Sequence, residues 1–204
     1  MPIIEWKKAE TTGIITMNNV ENRMNSEFVS ALLTAFDEVE RDPAISSVIV
    51  TSSDSKNWSQ GLDLQWIMDT MAKKDLGKIK GFLYGLNQVY KRVLLYPMPV
   101  IAAINGHVFA GGAILACACD FRFMKSDRGY FCFPEIDINI PFLPGMLAIL
   151  KKAFPYYMLE DLVYSGNRTV ATELETHHII VKACENEEAL MSETLTFAKT
   201  FTKK

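Results

Sequence analysis

The stretch Val100-Ile101-Ala102-Ala103-Ile104-Asn105-Gly106-His107-Val108-Phe109-Ala110-Gly111-Gly112-Ala113 decides the architecture of this chain. Its first five residues are short and wholly apolar, the pattern of a strand covered on both faces. Asn105-Gly106 turns the chain. Ala110-Gly111-Gly112-Ala113 then opens an apolar helix that runs to about Cys119. The first N–H groups of a helix have no intrahelical acceptor and carry partial positive charge. A strand that runs through a glycine turn into a helix therefore presents donors at the turn.

The same arrangement stands upstream, where the apolar segment Val48-Ile49-Val50-Thr51 leads to Ser59-Gln60-Gly61-Leu62. Glycine lets a ligand oxygen come close to the backbone. Two such turns on neighbouring strands can aim two N–H groups at one oxygen, which is the geometry of an oxyanion hole. Glycines also simply make turns, and paired glycines in a helix also permit tight packing. On spacing alone both readings stand.

Further out, residues 12–17 are β-branched and short and predict a strand. Asn18, Asn19 and Asn22 mark a polar loop. Asn25 and Ser26 are good N-caps for a helix whose stripe is Phe28, Leu32, Phe36 and Val39, stopped at Asp42-Pro43. Phe82, Leu86, Val89 and Val93 define a second amphipathic helix, closed by Pro97 and Pro99. Residues 120–124 and 130–133 read as two more short strands. Helices follow at 145–154, 157–165, 171–177 and 187–201. The order predicts an α/β fold, a repeated β/α core over 1–158 with a helical region over 159–204, the boundary being set where strand signals cease.

Composition excludes several classes of function. Apolar residues make up 49% and charged residues 22%, enough for an ordinary globular core. No apolar run reaches the roughly 18 residues of a membrane span, and the opening MPIIEWKKAE lacks a signal layout. A soluble, cytoplasmic protein is expected. Net charge is −3 with scattered Lys and Arg, which is no footprint for nucleic acid. Cys117, Cys119, Cys132 and Cys184 read as buried thiols of a reducing compartment. The three histidines form no cluster, so no metal is expected. Neither G-x-x-x-x-G-K-[ST] nor G-x-G-x-x-G occurs, which leaves nucleotide hydrolysis without support.

Four collinear segments together resemble the enoyl-CoA hydratase/isomerase (crotonase) family. Trp58-Ser59-Gln60-Gly61-Leu62-Asp63-Leu64 is similar to its first oxyanion turn. Ile104-Asn105-Gly106-His107, Ala110-Gly111-Gly112-Ala113 and Cys119-Asp120-Phe121-Arg122 are similar to its second. Phe133-Pro134-Glu135-Ile136-Asp137-Ile138, continued by Ile140-Pro141 and Pro144-Gly145, resembles its Pro-Glu segment. Tyr164-Ser165-Gly166 and residues 171–181 resemble a stretch further on. The resemblance implies a spiral of stacked ββα repeats with a helical C-terminal region, acyl-CoA substrates, and homotrimers or pairs of trimers. It also implies several tens of residues beyond the point matching Lys204, so the C-terminal region is expected to be shortened. No cofactor is implied, since coenzyme A is part of the substrate.

Carried over residue by residue, the two oxyanion donors are the backbone N–H groups of Leu62 and Gly111. The catalytic glutamate of the Pro-Glu segment is Glu135. The position where hydratases hold another glutamate is Ile114. Gly61, Asp63, Trp66, Ile67, Gly112, Ile114 and Phe142 are the expected substrate contacts, although each apolar one also reads as core packing. CoA itself is expected to be held largely through backbone groups near the first turn.

A proton α to a thioester is removed at neutral pH only if the developing oxyanion is held while a base takes the proton. Two preorganised N–H donors meet the first need, each worth roughly 10²–10³ in rate. Glu135, among Tyr130, Phe131, Phe133, Ile136 and Ile138, meets the second, because desolvation raises a carboxyl group's pKa. Asp137 is a weaker candidate. Hydration needs a held water, and Ile114 has neither lone pair nor proton to hold one. A double-bond shift needs a single shuttle base. The residues therefore favour Δ3,Δ2-enoyl-CoA isomerisation. Hydration or another reaction of the family, and a catalytically silent acyl-CoA binder, are the alternatives.

Overall fold

The computed structural model describes residues 2–202. It opens with an antiparallel pair, β1 (Ile4–Ala9) and β2 (Thr12–Met17), in register from Ile4 opposite Met17 to Ala9 opposite Thr12. β1 escaped the sequence reading because Glu5, Lys7 and Lys8 interrupt its apolar residues. It is an edge strand, and such charges protect an edge. A two-residue strand, β3 (Arg23–Met24), precedes α1 (Ser26–Glu40). The Asn25 side chain caps α1 by accepting from the Phe28 N–H at 3.1 Å. The buried stripe of α1 includes Phe28, Leu32, Phe36 and Val39, as the spacing predicts.

Three repeats follow. In the first, β4 (Ser47–Ser52) leads to β5 (Asn57–Ser59) and β6 (Gly61–Leu62), then to α2 (Leu64–Ala72) and α3 (Leu76–Leu94). In the second, β7 (Val100–Ile104) leads to β8 (His107–Phe109) and α4 (Gly111–Ala118). In the third, β9 (Phe121–Lys125) leads to β10 (Phe131–Cys132) and α5 (Pro144–Ala153). The chain closes with α6 (Tyr156–Ser165), α7 (Ala171–Thr176), β11 (Lys182–Cys184) and α8 (Glu187–Lys199).

The first strands of the repeats join one large sheet, in the order β1-β2-β4-β7-β9-β11. All its pairings but β1–β2 are parallel. The second strands form a small parallel sheet, β10-β8-β5, and β3 pairs with β6. This is the expected α/β spiral of ββα repeats. Side chains of the large sheet alternate between two cores. Val48, Val50, Val100, Ala102 and Ile104 face α1, α3 and α4, whereas Ile14, Ile49, Ile101 and Ala103 face α8. Both faces are covered, which is why β7 carries no polar residue.

Two expectations need correction. The region beyond residue 158 is not helical throughout, because β11 pairs with β9 and extends the large sheet. Three residues, with Lys182 exposed, are too short to leave a period in the sequence. The glycine turns also do not follow β4 and β7 directly. Each follows a second, shorter strand, β5 or β8. The asparagine loop is likewise more than a polar connection. Asn22 is fully buried, and its Nδ2 donates to Ser52 Oγ at 2.7 Å and to the Trp58 carbonyl at 2.9 Å.

All four cysteines are free and buried. Burial pushes the Cys117 and Cys119 thiols up to about 12, so neither is a ready nucleophile.

Candidate active site

The small sheet assembles the site. β5 and β8 are neighbours, with Asn57 opposite His107, and β8 also pairs with β10, with Cys132 opposite Phe109. All three strands run parallel. The segments beyond their carboxyl ends, residues 60–62, 110–111 and 134–135, therefore emerge side by side. Ligand sites in parallel sheets form at this end.

The two glycine turns touch. Gly61 has φ +79°, and a β-carbon there would lie 2.8 Å from the Gly111 nitrogen and 2.9 Å from the Phe109 carbonyl oxygen. A β-carbon on Gly111 would lie 2.8 Å from Leu62 Cδ1, and one on Gly112 would lie 2.7 Å from the Ser59 side chain. The glycines are required by this approach, so the reading of turns and tight packing holds: they make turns and they bring two backbones together. Gly111 is the first residue of α4, so its N–H has no acceptor within the helix. The Asp63 N–H donates to the Met24 carbonyl at 2.9 Å. Successive N–H groups of an extended segment point to opposite sides, so the Leu62 N–H points away from that partner. Ala110, between β8 and α4, sits at φ 50°, ψ −124°. A non-glycine residue held there costs on the order of 1–3 kcal/mol, a strain typical of functional turns.

Glu135 lies in a short 3-10 turn, residues 134–136, begun by Pro134. Only 6% of it is exposed. Its Oε2 is buried with no hydrogen-bond partner among the described residues. Burial pushes its carboxyl group up to about 7, opposed only by its own backbone N–H. Asp137, the weaker candidate, ends the 3-10 turn and is exposed.

A cavity of about 230 Å³ lies against all three segments. Gln60 and Leu62 come from the first turn, Phe109 and Ala110 from the second, and Pro134 and Glu135 from the third. Arg23, Leu64, Ile138 and Ile140 complete it. Glu135 is the only carboxylate among these residues. A larger polar hollow of about 420 Å³, beside Tyr157, Arg168 and His177, includes none of the three segments.

The expected substrate contacts divide. Leu62 and Glu135 line the cavity, whereas Gly61, Gly111 and Gly112 do not, although Gly61 and Gly111 adjoin lining residues in the chain. Ile114 is 2% exposed and belongs to the main core. Asp63 caps α2, its Oδ1 accepting from the Trp66 N–H at 3.0 Å. Trp66 packs edge-on to Phe82 at 5.2 Å, Ile67 packs on the main core, and Phe142 lies edge-on to Phe133 at 6.1 Å. None of Asp63, Trp66, Ile67, Ile114 or Phe142 lines the cavity. Sequence reasoning missed Arg23, Gln60, Ala110, Pro134, Ile138 and Ile140 as wall residues. Gln60, Ala110 and Pro134 immediately precede residues that were picked out, and that adjacency was a usable signal. Nothing local marks Arg23, which β3–β6 pairing brings in.

These features set two touching glycine turns beside a cavity with one buried carboxylate, on a ββα spiral. The profile of the enoyl-CoA hydratase/isomerase family matches residues 7–204, and the chain belongs to that family. It is 30% identical over 134 residues to enoyl-CoA delta isomerase 2, peroxisomal, of Arabidopsis thaliana, covering 65% of this chain and 55% of the plant protein. It is 27% identical over 188 residues to the short-chain-enoyl-CoA hydratase of Clostridium acetobutylicum, covering 90% of this chain and 69% of that one. Among solved structures, an enoyl-CoA hydratase from Polaromonas sp. JS666 superposes with a TM-score of 0.86 at 25% identity, over 98% of this chain and 77% of that one. The enoyl-CoA hydratase of Bacillus halodurans, at 21% identity, shares the fold with a TM-score of 0.89, over 99% of this chain and 81% of that one.

Proposed function

We propose that this chain shifts the double bond of a 3-enoyl-CoA thioester to the 2-position, with Glu135 as the one shuttle base. The observation that carries this reading is the lone carboxylate of the cavity, with apolar Ile114 at the position where the family's hydratases hold another. The Glu135 carboxylate takes a proton from C2. The electron pair spreads over the resulting dienolate and places negative charge on the thioester oxygen. The Leu62 and Gly111 N–H groups hold that oxygen. Protonated Glu135 then returns the proton to C4, and the double bond stands between C2 and C3. Nothing is added or lost, so no held water is needed. Coenzyme A enters as part of the substrate, and the family resemblance makes a homotrimer or a pair of trimers the expected assembly.

The test is product analysis by mass with 3-enoyl-CoA and 2-enoyl-CoA substrates. Isomerisation leaves the mass unchanged and disappears in Glu135→Gln. A product heavier by one water would establish hydration instead, and acyl-CoA binding without turnover of either substrate would make the chain a binder.

A further inference from the structure

The second glycine turn has an anchor outside its own segment. We propose that Tyr90, on α3, is a positioning residue that orients the Gly111–Gly112 peptide and, through it, the oxyanion donor at the start of α4. This rests on the reading of the two turns as an oxyanion hole.

Gly111 and Gly112 must lack side chains, because a β-carbon on either would collide with Leu62 or Ser59. The same lack leaves the peptide between them without the steric restriction that a side chain provides. Ala110, just before them, is held in a strained conformation between two backbone bonds, its N–H donating to the Cys132 carbonyl at 3.1 Å and its carbonyl accepting from the Ile114 N–H at 3.0 Å. Tyr90 adds a constraint on the next peptide, at the Gly111 carbonyl. Its hydroxyl donates to the Gly111 carbonyl at 3.0 Å, and a β-carbon on Gly111 would lie 3.0 Å from that same oxygen. The residue is 2% exposed and packed in the main core, so water does not compete for the bond. Its own position is fixed by the buried face of α3, which it shares with Leu86, Val89 and Val93. Burial, and after it the charge of Glu135, push the phenol's pKa upward. The donor therefore stays protonated whenever the base is ionised.

The test is Tyr90→Phe, read in two ways. The carbonyl stretch of bound butanoyl-CoA, a saturated thioester that cannot isomerise, reports polarisation by the donors independently of turnover. In the unmodified protein the stretch falls below that of free butanoyl-CoA, and in the variant it moves back toward the free value. The kcat for 3-enoyl-CoA falls roughly ten-fold, whereas KM stays within about two-fold. A variant with a lower melting temperature but an unshifted stretch and unchanged kcat per folded molecule would overturn the assignment, since the hydroxyl would then serve packing alone. If the unmodified protein leaves the stretch at the free value, the oxyanion hole itself fails and this inference falls with it. If Tyr90→Phe does not fold, site-specific 3-fluorotyrosine at position 90 keeps the hydroxyl and strengthens it as a donor. A stretch below that of the unmodified protein then supports the assignment, and an unchanged one ends it.

Discussion

At the scale of single residues, Glu135 makes the sharpest predictions. A base must be ionised, and burial raises its carboxyl group to about 7. We expect kcat/KM for 3-enoyl-CoA to rise with pH through about 7 and then level off, and a rate profile from pH 5 to 9 checks this. The same shift bears on stability. Burial disfavours the charged form, so the folded protein binds this proton more tightly than the unfolded chain does. The stability associated with the neutral carboxyl is present in full below the ordinary carboxyl value of 4.5 and is lost as pH rises through about 7. Glu135→Gln removes a group that folding prefers uncharged. It should stabilise the protein by on the order of 3 kcal/mol at pH 9, and by less than about 1 kcal/mol at pH 5, while abolishing turnover. Denaturant melts at the two pH values decide the matter, and equal effects at both would contradict the burial of the charge.

At the scale of elements, the meeting of the two turns and the far end of α4 control the site. Gly112→Ala would place a methyl group 2.7 Å from Ser59 Cβ and Oγ and 2.8 Å from its carbonyl oxygen. Backbone stands on one side, so the turn must move. The expected cost is roughly 1–3 kcal/mol of stability, with a larger proportional loss of kcat because the displaced turn carries the donor proposed at Gly111. Thermal melts and steady-state kinetics together check this. At its other end, α4 leaves carbonyls without helical partners. Arg122, nearly buried, donates through Nε to the Ile179 carbonyl at 2.9 Å and through Nη1 to those of Ala116 and Cys119 at 3.2 and 2.9 Å. Its charge also complements the helix C-terminus. Arg122→Met leaves buried acceptors unpaired and should cost roughly 2–3 kcal/mol. Its kcat per folded molecule should stay near that of the unmodified protein, since α4 loses its C-terminal ties and keeps its N-terminal ones. Lys152 also reaches the Ala118 and Cys119 carbonyls, at 3.2 and 3.3 Å, which limits the loss.

At the scale of the whole molecule, the large sheet separates chemistry from support. One face carries the main core, which the α4 side of the site shares. The other face is closed by α8, whose Leu190 and Ala198 pack with Ile14, Ile49, Ile101 and Phe123. Leu190 is fully buried there. Leu190→Ala should cost roughly 2–5 kcal/mol through lost contacts and a residual cavity, with KM and kcat of the surviving folded protein unchanged. A selective loss of kcat without loss of stability would mean that α8 acts on the site across the sheet.

The sequence alone determined the pieces and their order. Stripes such as Phe28–Leu32–Phe36–Val39 declare helices, because a residue's neighbours in the chain set that period. The apolar run at 100–104 declares a strand covered on both faces for the same reason. Resemblance then marked Leu62, Gly111 and Glu135. Only the tertiary structure decided that Leu62 and Glu135 line one cavity and that Leu62 packs against Gly111. That arrangement depends on β5, β8 and β10, each two or three residues long and too short to show an alternating pattern. Their order comes from hydrogen bonds between strands tens of residues apart. The same non-local pairing turned Asn22 from an expected loop residue into a buried anchor, brought Arg23 into the cavity wall, and moved Trp66 and Phe142 into packing roles. It also placed Glu135 out of water, and burial, which no short stretch of sequence encodes, is what brings its carboxyl group near neutrality.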